Sequence, residues 1–381
     1  MSVRELKAEL SQLKQSTDDV FEKEQLVQRL FQARASQITT TDDTTPTTRP
    51  SESSSGSNPI QIPLLFTYMD DNIKIAAQNF VDGGIIAEAG NQPFATIQLT
   101  VEGKQGDFQL NLLLDTACTG LVLRPEIVSK FNLPSFTTPV TMTGAGGQAG
   151  STGLTQLDKF KVGDQSFGPL PAAVQNIGAL PKELDGILGL SFLSRFECVE
   201  MDFSKGKVTF FHEKPTPTLD NLQIVAEGEI KLIPRLGIYS VHVYLGGKGP
   251  VEMIFDTGAS ASLLSWKGIA DLGLSKNSNF VHALSTRMGA MGSDNTAIQL
   301  SHRINISSKI DIGKPGSYPG ILLGAGSKRL SMDVGDIPLL KNLENQGVGG
   351  ILGIDALARC AVLRFNFQGK KRMVTMLQDS P

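Results

Sequence analysis

The sequence predicts a mainly β chain of two similar lobes related by a pseudo-two-fold axis, with a short helix-loop-helix appendage at its N-terminus. Three observations carry this expectation. From Pro59 onward, short stretches such as "FATIQLTVEG" and "YSVHVYLGGKG" alternate apolar and polar residues and then turn, the period of half-buried strands. Three landmarks occur twice in the same order, the mark of an internal duplication. Helical spacing is concentrated in residues 2–35.

In residues 1–36, Ser2 and Glu5 form a capping box ahead of Leu6, Leu10 and Leu13, which share one helical face. After "QSTDDV" a second helix carries Leu26, Val27, Leu30 and Phe31. Residues 37–60 are rich in threonine, serine and proline, with almost no apolar side chains to form a core. They read as a flexible tether, which makes the helical piece a separate module. Lobe 1 is then expected over 61–217 and lobe 2 over 218–381. The stretch "PTPTLDN", 215–221, connects them.

The first landmark is "DTACTGLVLRPEIVSKFNL", residues 115–133, which aligns without gaps on "DTGASASLLSWKGIADLGL", residues 256–274. The second is "TMTGAGG" at 141–147 against "TRMGAMG" at 286–292. The third is "GILGLSFLSRFECVEMDF" at 186–203 against "GILGIDALARCAVLRFNF" at 350–367. Within the first pair, "PEIVSKF" and "WKGIADLGL" read as short helices.

Composition excludes several functions. The chain has 381 residues, 40% apolar and 19% charged, with 39 glycines and a net charge of −3. That balance gives no general attraction to nucleic acid or anionic membrane. No apolar run approaches the roughly 20 residues of a membrane-spanning helix. The N-terminus is a charged amphipathic pattern rather than a secretory signal. Three scattered cysteines, Cys118, Cys198 and Cys360, do not suggest a disulfide framework. An intracellular protein with no membrane segment is the expectation. His212, His242, His282 and His302 lack metal-ligand spacing and no Cys-x-x-Cys occurs, so neither metal nor cofactor is expected. "GAGGQAG" and "LGAGSKRL" fail the spacing of dinucleotide and phosphate loops.

The chemistry rests on Asp115 and Asp256. Each follows a run of buried-strand residues, "LLL" and "MIF", where a carboxylate costs several kcal/mol unless it is paired or neutralised. If the two lobes pack about their pseudo-two-fold, the aspartates meet. Two carboxylates about 3 Å apart share one proton. The neutral partner can polarise a carbonyl while the ionised one takes a proton from water. Such a pair fits hydrolysis of a peptide bond in a peptide or protein substrate.

Asp-Thr-Gly followed by an apolar-apolar-Gly element resembles the signature of aspartic proteases, over roughly residues 61–381. Each lobe resembles the retropepsin-type unit, two copies of which normally dimerise. The resemblance implies a bilobed acid-protease fold, an aspartic endopeptidase and a monomer, since both copies share one chain. It implies that Thr116 and Thr257 cross-bond beneath the dyad, with "ILG" at 187–189 and 351–353 crossing behind each aspartate loop. Ala117 and Gly258 complete the two loops. The glycine-rich stretches would be flaps over substrate: Gly144, Ala145, Gly146 and Gly147 in lobe 1, Gly289, Ala290 and Gly292 in lobe 2. Neither carries the tyrosine of pepsin-like flaps, which favours the retropepsin analogy.

Departures from the pattern leave alternatives. Ala117 stands where the family has glycine, and is expected either to be tolerated or to tilt Asp115. Cys118 and Ala259 occupy the position where pepsin-like enzymes usually have a hydroxyl that bonds the carboxylate. Losing that donor should raise the dyad's pKa values and move the pH optimum toward neutral. The competing reading is a catalytically inactive relative that binds peptides or protein partners in the same cleft. A third makes the N-terminal module the functional part. That module resembles SAP-like helix-loop-helix modules, some of which bind nucleic acid. Its six basic residues (Arg4, Lys7, Lys14, Lys23, Arg29, Arg34) are balanced by six acidic ones (Glu5, Glu9, Asp18, Asp19, Glu22, Glu24), so phosphate binding is not expected. A protein partner, or no dedicated partner, remains open. Arg195 and Arg359, at equivalent places after the two ILG elements, are expected to be structural, and Cys118 to be a packed core residue. Asn305 lies in a glycosylation sequon that an intracellular protein would not use.

Overall fold

The computed structural model describes residues 58–68, 74–76, 93–103, 106–143, 149–178, 180–215, 221–234, 236–291, 297–324, 329–369 and 371–380, together with Lys7 and Ser11. The chain divides into two compact units, 1–55 and 56–381. In the first, Lys7 and Ser11 are helical and exposed; the rest of the SAP-like module lies outside the described residues, as does the tether as far as residue 57. The second unit starts within the stretch read as tether, because Ile60 already pairs in a strand and is buried.

Lobe 1 contributes β1 (Ile60–Pro63), β2 (Leu65–Tyr68), β3 (Lys74–Ala76), β4 (Pro93–Val101), β5 (Phe108–Leu114), β6 (Leu121–Leu123), β7 (Ser135–Thr143), β8 (Ala149–Leu157), β9 (Phe160–Val162), β10 (Gln165–Phe167), β11 (Leu170–Val174), β12 (Gly186–Leu188), β13 (Cys198–Asp202) and β14 (Lys207–Phe211). Lobe 2 contributes β15 (Leu222–Glu229), β16 (Lys231–Ile233), β17 (Ile238–Leu245), β18 (Lys248–Phe255), β19 (Leu263–Leu264), β20 (Val281–Met291), β21 (Ala297–Ile306), β22 (Lys309–Ile312), β23 (Ile321–Leu322), β24 (Leu330–Gly335), β25 (Val348–Leu352), β26 (Val362–Asn366) and β27 (Met373–Asp379).

The sheet of lobe 1 runs β10-β9-β4-β5-β12-β6-β11-β8-β7. That of lobe 2, read from its other edge, runs β23-β22-β17-β18-β25-β19-β24-β21-β20. Position by position these are the same path, so the duplication in sequence is a duplication in topology. A six-stranded sheet, β1-β14-β13-β26-β27-β15, takes three strands from each lobe. Its centre is the antiparallel pair β13–β26, where Arg364 donates to Glu200 from Nε (3.0 Å) and Nη2 (2.8 Å) across the lobe boundary. The fold is mainly β and bilobed, with a pseudo-two-fold axis through this shared sheet.

Local sequence explains the elements that matter for the site. The outer half of β5 alternates with solvent, whereas Leu112, Leu113 and Leu114 are all buried; Met253, Ile254 and Phe255 end β18 in the same way. A strand buried on both faces is the natural setting for parallel pairing. β5 indeed pairs in parallel with β12, and β18 with β25. Both short helices appear where expected. Pro125–Lys130 opens with proline at its first turn, and Trp266–Asp271 is capped by Ser265, whose side chain accepts from Gly268 N at 3.3 Å.

Candidate active site

Asp115 and Asp256 leave β5 and β18 at the two places where the lobes face each other. The backbone N–H of Asp115 donates to Leu188 O, and that of Asp256 to Leu352 O, both at 3.1 Å. Thus β12 and β25, which carry "ILG", support each aspartate loop from behind. Each also lies between the strand before the aspartate and the strand after it, in the orders β5-β12-β6 and β18-β25-β19. The glycine ending each motif has a steric reason. A Cβ on Gly189 would stand 2.2 Å from the Cys118 carbonyl oxygen, and one on Gly353 2.8 Å from that of Ala259.

The next residue in each loop ties the lobes together. Thr116 N donates to Thr257 Oγ1 (3.1 Å) and Thr257 N donates to Thr116 Oγ1 (3.1 Å). Each hydroxyl then donates to a carbonyl of the opposite lobe, Thr116 to Phe255 O (2.9 Å) and Thr257 to Leu114 O (2.7 Å). Both threonines are buried, so these four bonds hold two loops in register without competition from water.

The two aspartates that precede the clasp threonines are half-buried, and each perturbs the ionisation of the other. Oδ1 of Asp115 accepts from Ala117 N at 2.7 Å. Oδ1 of Asp256 accepts from Gly258 N and Ala259 N, both at 2.9 Å. Burial pushes Asp115 up to about 6, against the lowering effect of its backbone donors. Burial, and then the charge of Asp115, hold Asp256 well above the ordinary carboxylate range. The upward direction agrees with the expectation drawn from Cys118 and Ala259. Its leading cause is removal from water rather than a missing hydroxyl.

Gly258 touches the dyad directly. A Cβ there would lie 2.4 Å from Asp115 Cγ and 2.5 Å from its Oδ2. The contact is crosswise, with the glycine of lobe 2 making room for the aspartate of lobe 1. The sequence leaves two outcomes for Ala117, tolerance or a tilt of Asp115. Ala117, the matching residue of lobe 1, donates its backbone N–H to its own aspartate and packs against the main apolar core.

The flap residues divide. Gly289 and Ala290 lie in β20 and pair with Gln299 and Ile298 of β21. Gly144, Ala145, Gly146, Gly147 and Gly292 lie outside the described residues, where β7 passes to β8 and β20 to β21. Arg195 and Arg359 each donate from Nε to the carbonyl four residues earlier, Ser191 O (3.2 Å) and Asp355 O (2.8 Å), which makes both helix-end supports. Cys118 is partly buried, packs beside a small apolar cluster of lobe 1 and donates to Gly120 O; burial raises its thiol pKa. Among the described residues, no group of three or more His, Cys, Asp or Glu is placed to hold a metal ion, and no helix is long and apolar enough to cross a membrane.

One part of the site was missed from sequence. Asp355, buried, accepts a 2.6 Å bond from Ser262 Oγ, and Ser262 Oγ accepts from Gly353 N at 2.9 Å. Burial raises Asp355 to about 6. The signal was present in the alignment, because the lobe 1 counterparts of Ser262 and Asp355 are Leu121 and Ser191.

Comparison with known proteins finds similarity over part of the chain. An aspartyl protease family model matches residues 97–192, the span from β4 through the first aspartate loop to the first ILG element. Among solved structures, basic 7S globulin from soybean is similar at 11% identity and a TM-score of 0.42, over 84% of this chain and 95% of that one. No curated relative matches the sequence.

Proposed function

We propose that the chain is an aspartic-type endopeptidase, hydrolysing peptide bonds with a water molecule activated between Asp115 and Asp256. The observation that carries this reading is the threonine clasp. Four buried hydrogen bonds place two burial-perturbed carboxyl groups in contact where the lobes meet. In the proposed reaction the ionised aspartate removes a proton from water, and the resulting hydroxide attacks the peptide carbonyl carbon. The neutral aspartate donates its proton to the carbonyl oxygen. The tetrahedral intermediate then collapses as a proton passes to the departing amine nitrogen, so no covalent enzyme intermediate forms. The described ends of the β7–β8 and β20–β21 hairpins lead toward the two glycine-rich stretches proposed as flaps.

The family-model match over 97–192 supports the protease assignment for lobe 1. The duplicated topology extends it to lobe 2. The alternative, an inactive relative that binds peptide in the same cleft, draws on one observation, the methyl group of Ala117 within the first aspartate loop. The two readings part on one experiment. Cleavage of a mixed peptide library is followed across pH with wild type, Asp115→Asn and Asp256→Asn. An endopeptidase shows turnover that falls by orders of magnitude in either variant, with an acid limb above the ordinary carboxylate range because burial raises the dyad. No cleavage in wild type, with peptide binding retained, establishes the inactive reading.

A further inference from the structure

The bonds that join the two aspartate loops to each other and to the strands behind them are nearly symmetric. The threonine clasp has matching lengths of 3.1 and 3.1 Å between the loops, and 2.9 and 2.7 Å to the opposite carbonyls. The bonds from Asp115 N and Asp256 N to the strands behind are both 3.1 Å. In this frame Gly258 leaves a gap that the Asp115 carboxyl fills. A Cβ there would stand 2.4 Å from Asp115 Cγ, more than an ångström inside ordinary carbon–carbon contact. The pseudo-two-fold carries that same direction on residue 117 toward Asp256, and residue 117 is alanine. By that symmetry, the Cβ of residue 117 falls in the space that a mirror-image Asp256 would need.

We infer that Ala117 is a positioning residue that breaks the symmetry of the dyad, displacing Asp256 and fixing it as the proton-bearing carboxyl while Asp115 carries the charge. The physical reason is local. A methyl group against one face of a carboxyl excludes water and offers no hydrogen bond, which disfavours the ionised form. Asp115, facing a glycine, suffers no such contact. Within the proposed hydrolysis, on which this inference rests, Asp115 becomes the base toward water and Asp256 the acid toward the carbonyl oxygen. Burial raises the pKa of both groups, and the charge of Asp115 raises that of Asp256 further. The backbone N–H groups received by Asp256 from Gly258 and Ala259 oppose it, but Asp115 also draws on Ala117 and Cys118.

The test is a titration that needs no turnover. The full chain is labelled with ¹³C at the aspartate side-chain carboxyl, and the two dyad signals are assigned by their loss in Asp115→Asn and Asp256→Asn. A coupled pair loses its protons in two macroscopic steps whatever its symmetry. The informative quantity is how each carbon divides its shift between them. In wild type, the Asp115 carbon should take most of its change in the first step and the Asp256 carbon in the second. In Ala117→Gly the division should shift measurably toward equality for both carbons. The exchanged variant Ala117→Gly/Gly258→Ala should invert the wild-type assignment, and it keeps the falsifying power if the single variant folds poorly. Equal division in wild type, or an unequal division that Ala117→Gly leaves in place, overturns the inference. Absence of peptide cleavage with the asymmetry present and removed by Ala117→Gly would overturn the hydrolase reading alone.

Discussion

Replacing Thr257 by valine should destabilise the protein far more than its near-identical shape suggests. The Thr257 hydroxyl is fully buried, donates to Leu114 O at 2.7 Å and receives Thr116 N at 3.1 Å. Valine keeps the volume and removes both partners at once. It leaves a carbonyl of lobe 1 and an amide of the first aspartate loop buried with nothing to bond. Each such group costs about 1–3 kcal/mol, so the expected loss is about 2–6 kcal/mol. Set against a typical stability of about 5–15 kcal/mol, the variant should fold while losing a large share of its margin. Thr116→Val removes the equivalent two bonds, to Phe255 O and from Thr257 N, and should cost a similar amount. Urea unfolding of both variants beside Thr257→Ser provides the measurement. Serine retains the hydroxyl and gives up only a methyl group, about 1 kcal/mol. A valine variant within about 0.5 kcal/mol of wild type, or a serine variant as damaged as valine, would refute the clasp as an energetic element.

Three further outcomes follow from the site. Asp355 has a folded pKa of about 6 against an ordinary 3.8, so the native state holds its proton more tightly than the unfolded chain. Its contribution to stability is therefore complete below about pH 4 and lost as pH rises through 6, a change of about 3 kcal/mol. Asp355→Asn should match wild type near pH 4 and exceed it in urea midpoint near pH 7; a constant difference across that range would count against burial as the cause. Ala259→Ser and Cys118→Ser each place a hydroxyl beside a dyad carboxyl. A bond to the ionised form should move the acid limb of kcat/KM downward by on the order of one pH unit, and an unresponsive limb would show that neither hydroxyl reaches it. Because both aspartates belong to one chain, activity per mole should not change on dilution, and sedimentation should report a monomer; activity restored only by dimerisation would contradict this.

Much of this arrangement was legible in the sequence because duplication is a strong signal. Two aspartates after buried strands, two threonines beside them and two "GILG" elements marked the duplicated loops, and the family resemblance placed ILG behind each of them. What could not be read was direction across the axis. Ala117 and Gly258 lie beside their own aspartates in sequence, so Ala117 was expected to act on Asp115. Only the packed lobes reveal that Gly258 of lobe 2 lies against the carboxyl of lobe 1. Burial was equally hidden. The rise of the dyad pKa values could be attributed from sequence to absent hydroxyls at Cys118 and Ala259, whereas exclusion of water is the larger cause.

Fusion of the two lobes gives the duplicated chain a freedom that a dimer of identical chains lacks. In such a dimer, a change beside one aspartate appears beside both. An alanine in each loop would then drive a methyl group at each carboxyl, including the position where a Cβ meets Asp115 Cγ at 2.4 Å. In a single chain, one loop can carry the methyl group while the other keeps its glycine. The same separation appears deeper in the fold. Behind Asp256, Ser262 and buried Asp355 form a polar connection to Gly353 N; the aligned positions behind Asp115 are Leu121 and Ser191. Leu121 is buried in the main apolar core. Lobe 2 thus supports its aspartate loop through a hydrogen-bonded carboxyl, and lobe 1 through apolar packing at the matching place. These differences surround a shared-proton pair. They give two chemically identical side chains unequal surroundings, which is the condition for one to act as acid and the other as base.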